Sequence, residues 1–205
     1  MAKNSYNYSV FINCPIDDSY TPRLRAMIFS ILRCGFTARS ALEESDSSEI
    51  RLNKIFRIIT ECRYGIHDLS RTQLDRKSRL PRFNMPLELG IFLAAKYYGR
   101  EEHDRKRCII FEAKAHTYEK FISDIKGQDI SAHNNSPEKI VKMIRDWLAT
   151  CSPKATIIGG NAVWRDYGLF STWLPKQCRK KRLTLSTLIF GDYINLIYEW
   201  IESRS

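Results

Sequence analysis

A single glutamate in an apolar segment is the most informative residue for chemistry. Glu88 stands between Leu87 and Leu89, and Asn84 and Pro86 precede it. Proline suits the first turn of a helix, so we expect Glu88 in such a turn. A carboxylate there can meet the positive charge that develops at C1 of a sugar when an N-glycosidic bond breaks. The structural alternative is equally open, because a first-turn carboxylate also interacts with the helix dipole by about 0.3–1 kcal/mol.

Gly90 follows Glu88 in the same predicted helix. Glycine inside a helix costs about 1 kcal/mol relative to alanine, so its presence asks for a reason. We expect Gly90 to face a neighbouring element and to allow close packing there.

Further polar side chains stand near the ends of the predicted strands. They are Asn13 and Asp17 after the first strand, Arg39 after the second, and His67, Asp68, Ser70 and Arg71 at the end of the third. Ligands of open α/β sheets collect beyond the carboxyl ends of the strands. We therefore expect one cleft to gather these side chains together with Asn84 and Glu88.

Alternating segments with strand-like and helix-like patterns must position these side chains. Strands are expected at residues 8–12, 36–40, 64–69 and 108–111, with a weak edge strand at 128–132. Helices are expected from Pro22, across residues 50–59, 87–98 and 118–125, and from Ser136. Repeated units of this kind predict an α/β, flavodoxin-like three-layer fold with a parallel sheet of about five strands.

The remainder of the chain loses this alternation. Pro153 and the pair Gly159 and Gly160 mark a boundary, and two helices are expected near residues 162–174 and 185–201. So short a segment buries little core of its own. We therefore divide the chain into an α/β domain, 1–150, and a helical C-terminal extension, 151–205, that docks as an appendage.

Composition narrows the class of protein. The chain has 205 residues with 43% hydrophobic content and a formal net charge of +10. No run approaches the ~20 apolar residues that span a bilayer, and the N-terminus has no secretory pattern. Six cysteines without C-x-x-C spacing suit free thiols in a reducing compartment. We expect a cytoplasmic protein without a membrane segment and without a secreted disulfide scaffold.

Other chemistry-bearing residues are weaker candidates. The four histidines lack metal-ligand spacing, so no metal site is expected. His67 is expected to be a core histidine more often than a catalyst. Cys14 follows a strand and is a minor candidate nucleophile. The sequence has no G-x-G-x-x-G, Walker lysine loop or H-E-x-x-H motif.

Two segments carry a resemblance to a known family. Residues 67–71 and 84–91 resemble the D-[LI]-[ST] and N-x-x-[FLY]-E-[LI]-G patterns of the nucleoside 2-deoxyribosyltransferase-like and TIR-like nucleotide-binding superfamily. Val10, Phe11, Ile12 and Asn13 are similar to the first strand of TIR domains, where Asn13 replaces the usual serine. The resemblance covers about residues 6–150.

The resemblance implies roles for individual residues. It implies that Glu88 and Asp68 are catalytic, Glu88 at the ribosyl C1 and Asp68 at the leaving base. It also implies a substrate-binding set of Phe11, Asn13, Asp17, Arg39, Ser70, Arg71 and Asn84. The implied activity is N-glycosidic cleavage or ribosyl transfer in bacterial defence signalling. NAD or a nucleotide would be the substrate, with no separate cofactor and no metal.

Positive charge precedes the glutamate segment, at Arg71, Arg76, Lys77, Arg79 and Arg82. Arginine side chains match phosphate geometry, so a phosphorylated small molecule is the expected partner; the alternative is solvated charge. A non-catalytic, self-associating nucleotide-sensing module is the rival function, and a homo-oligomer is expected. Nucleic-acid binding ranks last because the charge is dispersed.

Overall fold

A computed structural model of the chain describes residues 6–71, 82–151 and 156–204. Five strands form one sheet in the order β2-β1-β3-β4-β5, and all neighbouring pairs are parallel. The strands are β1 Ser9–Asn13, β2 Thr37–Arg39, β3 Tyr64–Asp68, β4 Arg107–Glu112 and β5 Ile130–Ala132. The predicted α/β fold with a five-stranded parallel sheet is confirmed, and β5 does lie at an edge.

Six α-helices accompany the sheet in the described part of the chain. They are α1 Thr21–Arg33, α2 Arg51–Thr60, α3 Asn84–Tyr98, α4 Pro137–Cys151, α5 Gly160–Lys180 and α6 Phe190–Glu202. One face of the sheet is covered by α1 and α4, and the other by α2 and α3. None of the helices in these described ranges is long and apolar enough to cross a membrane.

The two central strands explain why the sheet forms and what it positions. Every residue of β1 and β3 is buried, as expected for strands that are covered on both faces. Their parallel register pairs Asn13 with His67, so the carboxyl ends of these strands lie level with each other. From β1 the chain adds β2 on one side of the sheet and then β3, β4 and β5 on the other, so the direction of strand addition reverses between β1 and β3. Open α/β sheets bind their ligands at such a point.

Three helix predictions need correction. Residues 118–125 form two short 3₁₀ turns rather than a helix, because the buried Glu112 carboxylate accepts the N–H groups of His116, Thr117 and Tyr118. The helix predicted at residues 162–174 continues to residue 180 across Pro175, since buried residues lie on both sides of the proline. The last helix begins at Phe190, after a separate 3₁₀ turn at Leu185–Thr187.

The C-terminal helices share a hydrophobic core with the α/β unit. The ring of Phe29 in α1 lies 5.2 Å from that of Phe170 in α5 and 5.6 Å from that of Trp200 in α6, measured between centroids. All three side chains are buried. The helices therefore add a further layer on α1 and α4, while the division at residue 150 stays a prediction.

Candidate functional site

Charged side chains converge on one buried thiol at the carboxyl edge of the sheet. Cys14 directly follows β1 and is nearly inaccessible. Burial raises the pKa of its thiol well above the ordinary value, and Asp68, Glu88 and Asp17 raise it further. The thiol therefore stays protonated, which argues against Cys14 as a nucleophile. Asp17 follows β1, Asp68 ends β3 and Glu88 lies in α3, so the charges that act on this thiol come from three separate segments.

Glu88 lies deeper in its helix than the sequence suggested. Helix α3 begins at Asn84, so Glu88 is its fifth residue and no acidic residue stands in the first turn. The prediction of a first-turn glutamate is wrong, because Pro86 is tolerated at the third position, where the N–H has no partner within the helix either. A carboxylate in the second turn cannot cap the first amide groups, so the structural alternative loses its basis.

The environment of Glu88 changes its protonation behaviour. The residue is only 9% exposed, and burial raises the pKa of its carboxyl to about 7, although Arg51 at the start of α2 opposes the shift. Within the described ranges, no group donates a hydrogen bond to this carboxylate. A buried carboxyl that titrates near neutrality can accept or release a proton under physiological conditions.

Asn13 fastens the start of α3 to the sheet. Its Nδ2 donates to the carbonyl oxygen of Met85 at 2.8 Å and lies 3.0 Å from Nδ1 of His67. The side chain is buried, and both amide protons have partners within the protein. Asn13 therefore positions the turn of helix that precedes Glu88, and only its oxygen remains for a ligand.

His67 behaves as a core residue, as expected. It is fully buried, and its ring packs at 5.0 Å from Phe92 and 6.0 Å from Phe11 between centroids. Burial, with a contribution from Lys106, lowers the pKa of His67 to about 3, so the ring is neutral. Since Nδ1 accepts from Asn13, the proton resides on Nε2, which has no hydrogen-bond partner among the described residues.

Asp68 is saturated by hydrogen bonds from the protein itself. Its Oδ2 accepts from the hydroxyl of Tyr20 and from Nε2 of His133 at 2.9 Å, and its Oδ1 accepts from the hydroxyl and backbone N–H of Ser70. Burial alone would raise the pKa of Asp68, but these donors outweigh it and hold the pKa below the ordinary value. Asp68 is fully buried, so in this arrangement it positions loops rather than facing a substrate.

Ser70, His133 and Asp68 have the residue types of a hydrolase triad but not its connectivity. A triad histidine contacts the carboxylate through one ring nitrogen and the serine through the other. Here Ser70 and Asp68 both contact Nε2 of His133, at 3.0 and 2.9 Å, while Nδ1 accepts the N–H of Asn135. No ring nitrogen is free to take a proton from Ser70, so the cluster is structural.

Asp17 links the two described ends of the basic segment. Its carboxylate lies 3.3 Å from Nη2 of Arg71 and 3.5 Å from Nη1 of Arg82. Partial burial works against ionisation, but Ser19 and the two arginines lower the pKa of Asp17 below the ordinary value. The other predicted cations, Arg76, Lys77 and Arg79, lie outside the described residues.

Three predicted site residues form no hydrogen bond or ion pair with Asp17, Asp68 or Glu88 in the described part of the chain. Phe11 is fully buried in the core between the sheet and α2. Arg39 ends the edge strand β2 and forms ion pairs with Glu43 at 2.6 Å and Glu61 at 2.8 Å. Asn84 is exposed at the start of α3 and has no polar partner in the described structure. The substrate roles implied for these three stay predictions.

The packing role expected of Gly90 is wrong. A Cβ at this position would meet no atom within 4 Å, and the residue is exposed. Met85, Glu88, Leu89 and Phe92 form the buried side of α3. Gly90 lies on the opposite side of the helix, so no contact with the described residues explains why this position is glycine.

Sequence reasoning missed the residues that complete the site. Tyr20 and His133 bind Asp68, although neither was among the site residues predicted from the sequence. Arg23 and Lys114 line a cleft at the same sheet edge. The rule that selected the other residues would have found His133 and Lys114, because they follow β5 and β4.

No group of three potential ligands among the described His, Cys, Asp and Glu residues could hold a metal ion. Comparisons with family models, with curated proteins and with solved structures find no match to the chain. The site is therefore interpreted from its own residues.

Proposed function

We propose that the protein cleaves, or transfers across, the N-glycosidic bond of a nucleotide or NAD-like molecule, with Glu88 acting at the ribosyl C1. The observation that carries this proposal is the Glu88 carboxyl itself: buried, without a donor among the described residues, and with a pKa raised to about 7. A carboxylate that none of the described residues engages is available to a substrate.

The reaction requires little beyond this carboxylate and a bound sugar. The bond between C1 and the base nitrogen breaks, and the base leaves with the bonding electrons. Ionised Glu88 stabilises or captures the cationic C1, and water or a second base then forms the new bond. When water is the acceptor, its proton passes to solvent or to the departing base. Asn13 and its contact with Met85 support the geometry by holding the first turn of α3.

The test is a panel of NAD, nucleosides and nucleotides incubated with the full chain, with mass-spectrometric detection of free base. Glu88→Gln is expected to lower the rate by roughly 10²–10⁴, the range for loss of an acid–base or nucleophilic group. Glu101→Gln removes the same charge at an exposed residue of a 3₁₀ turn and serves as the matched control. Equal rates for wild type and Glu88→Gln would refute the mechanism.

The pH dependence offers a second test of the same residue. If the ionised form acts, kcat/KM rises with pH and levels off above about 7, where the Glu88 carboxyl has lost its proton. Glu88→Asp should retain the ionisation but misplace the carboxylate. A rate that falls through this range would assign Glu88 the role of a proton donor instead.

A non-catalytic, self-associating module is the second candidate, favoured by the outer face of α3. Leu87, Tyr97 and Tyr98 are 55%, 66% and 90% exposed, which is unusual for so many large apolar side chains on one helix. This candidate predicts nucleotide binding without product and a sedimentation coefficient that falls in Tyr98→Lys. Consumption of the ligand by purified protein would exclude it.

A further inference from the structure

A second feature of the sheet edge is a basic cleft beside the Asp68 network. It has a volume of about 480 Å³, within the range of small-molecule sites. Among the residues that line it are Ser19, Arg23, Ser70, Arg71, Lys114 and Asn135. They come from the segments after β1, β3, β4 and β5, and none of the lining residues is acidic.

The cleft holds positive charge that no carboxylate in the described part of the chain neutralises. The carboxylate of Asp17 pairs with both Arg71 and Arg82, and its single negative charge neutralises only one of these two positive charges. Arg23 and Lys114 have no carboxylate partner among the described residues. Lys114 is exposed, and Nε of Arg23 is buried without a hydrogen-bond partner in that part of the chain. A guanidinium with an unused donor is suited to an anion.

Arg23 is also held in place in advance. Its Nη1 donates to Oδ1 of Asn135 at 3.1 Å, its Nη2 donates to the carbonyl oxygen of Ser19 at 2.9 Å, and its guanidinium lies 4.6 Å from the ring centroid of Tyr20. A fixed guanidinium loses less conformational entropy when it binds. Backbone N–H groups at the starts of α1 and α4, which follow Tyr20 and Ser136, add to the positive potential.

The cleft and Glu88 belong to one edge of the sheet. The cleft is lined by residues that follow β1 and β3, and Asn13 at the end of β1 bonds to Met85 in the helix that carries Glu88. That one ligand contacts both regions is part of the proposal that follows.

We propose that this cleft binds the phosphate groups of the substrate through Arg23, Arg71 and Lys114, so that the protein selects nucleotides over nucleosides. This inference rests on the proposed function, since it places the sugar of the same ligand at Glu88. A cleft of this volume has room for one or two phosphate groups, and its cations match a mono- or diphosphate better than a neutral ribose.

The binding test uses the full-length Glu88→Gln variant, in which turnover does not interfere. AMP, ADP, adenosine and pyrophosphate are titrated calorimetrically. We expect AMP and ADP to bind at least tenfold more tightly than adenosine, and Arg23→Met and Lys114→Met each to weaken AMP roughly tenfold while leaving adenosine unchanged. Higher salt should narrow the difference between AMP and adenosine.

Matched controls separate the cleft from charge in general. Arg179→Met and Lys180→Met remove the same charges at the exposed end of α5 and should leave AMP affinity unchanged. The side chain of Lys114 is exposed and forms no hydrogen bond or ion pair with the described residues, so Lys114→Met is expected to fold normally even if Arg23→Met does not; circular dichroism checks both.

The outcomes are distinguishable from those of the proposed function. AMP binding that depends on Arg23 and Lys114, without cleavage of any nucleotide by the wild type, supports the phosphate site and refutes the catalysis. Cleavage with an unchanged KM in both variants supports the catalysis and overturns the phosphate site. Pyrophosphate that binds as tightly as ADP, or a single-stranded oligonucleotide that binds more tightly than AMP, also overturns the nucleotide assignment.

Discussion

The side-chain amide of Asn13, at the end of β1, donates to the carbonyl oxygen of Met85 in the first turn of α3 at 2.8 Å. This bond joins the centre of the sheet to the helix that carries Glu88. Met85 and Glu88 lie three residues apart on the buried side of α3, so a shift at one moves the other.

Removal of this bond should affect stability and activity together. Asn13→Ala leaves the Met85 carbonyl and Nδ1 of His67 without their donor, which should cost about 1–3 kcal/mol. Urea denaturation measures the loss, and kcat should fall more than KM rises because Glu88 is displaced. Asn84→Ala, at an exposed residue of the same helix, should leave stability within about 0.5 kcal/mol. An Asn13→Ala variant with wild-type stability and kcat would contradict the positioning role.

The buried carboxyl of Glu88 should make stability depend on pH in a defined direction. Because its folded pKa of about 7 lies above the ordinary 4.5, the unfolded chain ionises first. Stability therefore falls as pH rises from about 4.5 to 7 and then levels off. Glu88→Gln has no buried charge, so its free energy of unfolding should exceed that of wild type at pH 8 by up to about 3 kcal/mol and should equal it at pH 4.5. Thermal melts at both pH values test this. Glu101→Gln is the control and should match wild type at both. A Glu88→Gln variant that is less stable at pH 8 would disprove it.

The Asp68 network should be the most sensitive polar part of the fold. Asp68→Asn places an amide group among the donors of Tyr20, Ser70 and His133, and we expect a loss of about 3–5 kcal/mol at pH 7. Since the folded pKa is lowered, this contribution is present above the unfolded pKa and disappears as pH falls through the folded one. Tyr20→Phe keeps the charge and should cost only about 1–2 kcal/mol. Chemical denaturation at pH 7 and pH 3 tests both variants, and an Asp68→Asn loss as small as that of Tyr20→Phe would speak against a saturated buried charge.

Two glycines should respond in opposite ways to alanine. Gly90 has open space around it on an exposed helix face, so Gly90→Ala should raise stability by about 0.5–1 kcal/mol. Gly65 has no such space, because a Cβ there would lie 2.7 Å from Nε2 of His67 and 2.9 Å from the ring of Phe92. Gly65→Ala should therefore destabilise the fold. Melting temperatures of the two variants provide the check, and similar shifts in both would contradict the steric role assigned to Gly65.

The C-terminal helices should be required for a folded α/β unit. Phe170→Ala removes a ring that contacts Phe29, Tyr193 and Trp200 and should cost about 3–5 kcal/mol. Leu169→Ala, one residue earlier at a 42% exposed position, is the matched control and should cost much less. Denaturant titration compares the two. A chain truncated after residue 151 should lack a cooperative transition, and a cooperative one would favour an independent domain of residues 1–150.

The sequence by itself determined the order of strands and helices, the parallel sheet and the segments at its carboxyl edge. These follow from local patterns, since apolar periodicity and helix-start residues act within a few positions of one another. The predicted start of α3 was wrong by only two residues, because Asn84 and Met85 extend the helix before a proline that the pattern treats as its start.

Only the tertiary structure decided what the side chains at this edge are doing. Asp68 is saturated by Tyr20 and His133, which lie 48 and 65 residues away, and Arg39 is engaged by glutamates near its own strand. The hydrogen bonds and the burial of a side chain depend on which segments, distant in sequence, the parallel sheet brings next to it. A pattern of a few neighbouring residues does not contain that information. Glu88 has no such donor within the described residues, and it is this difference from Asp68, set by packing, that makes it the candidate reactive group.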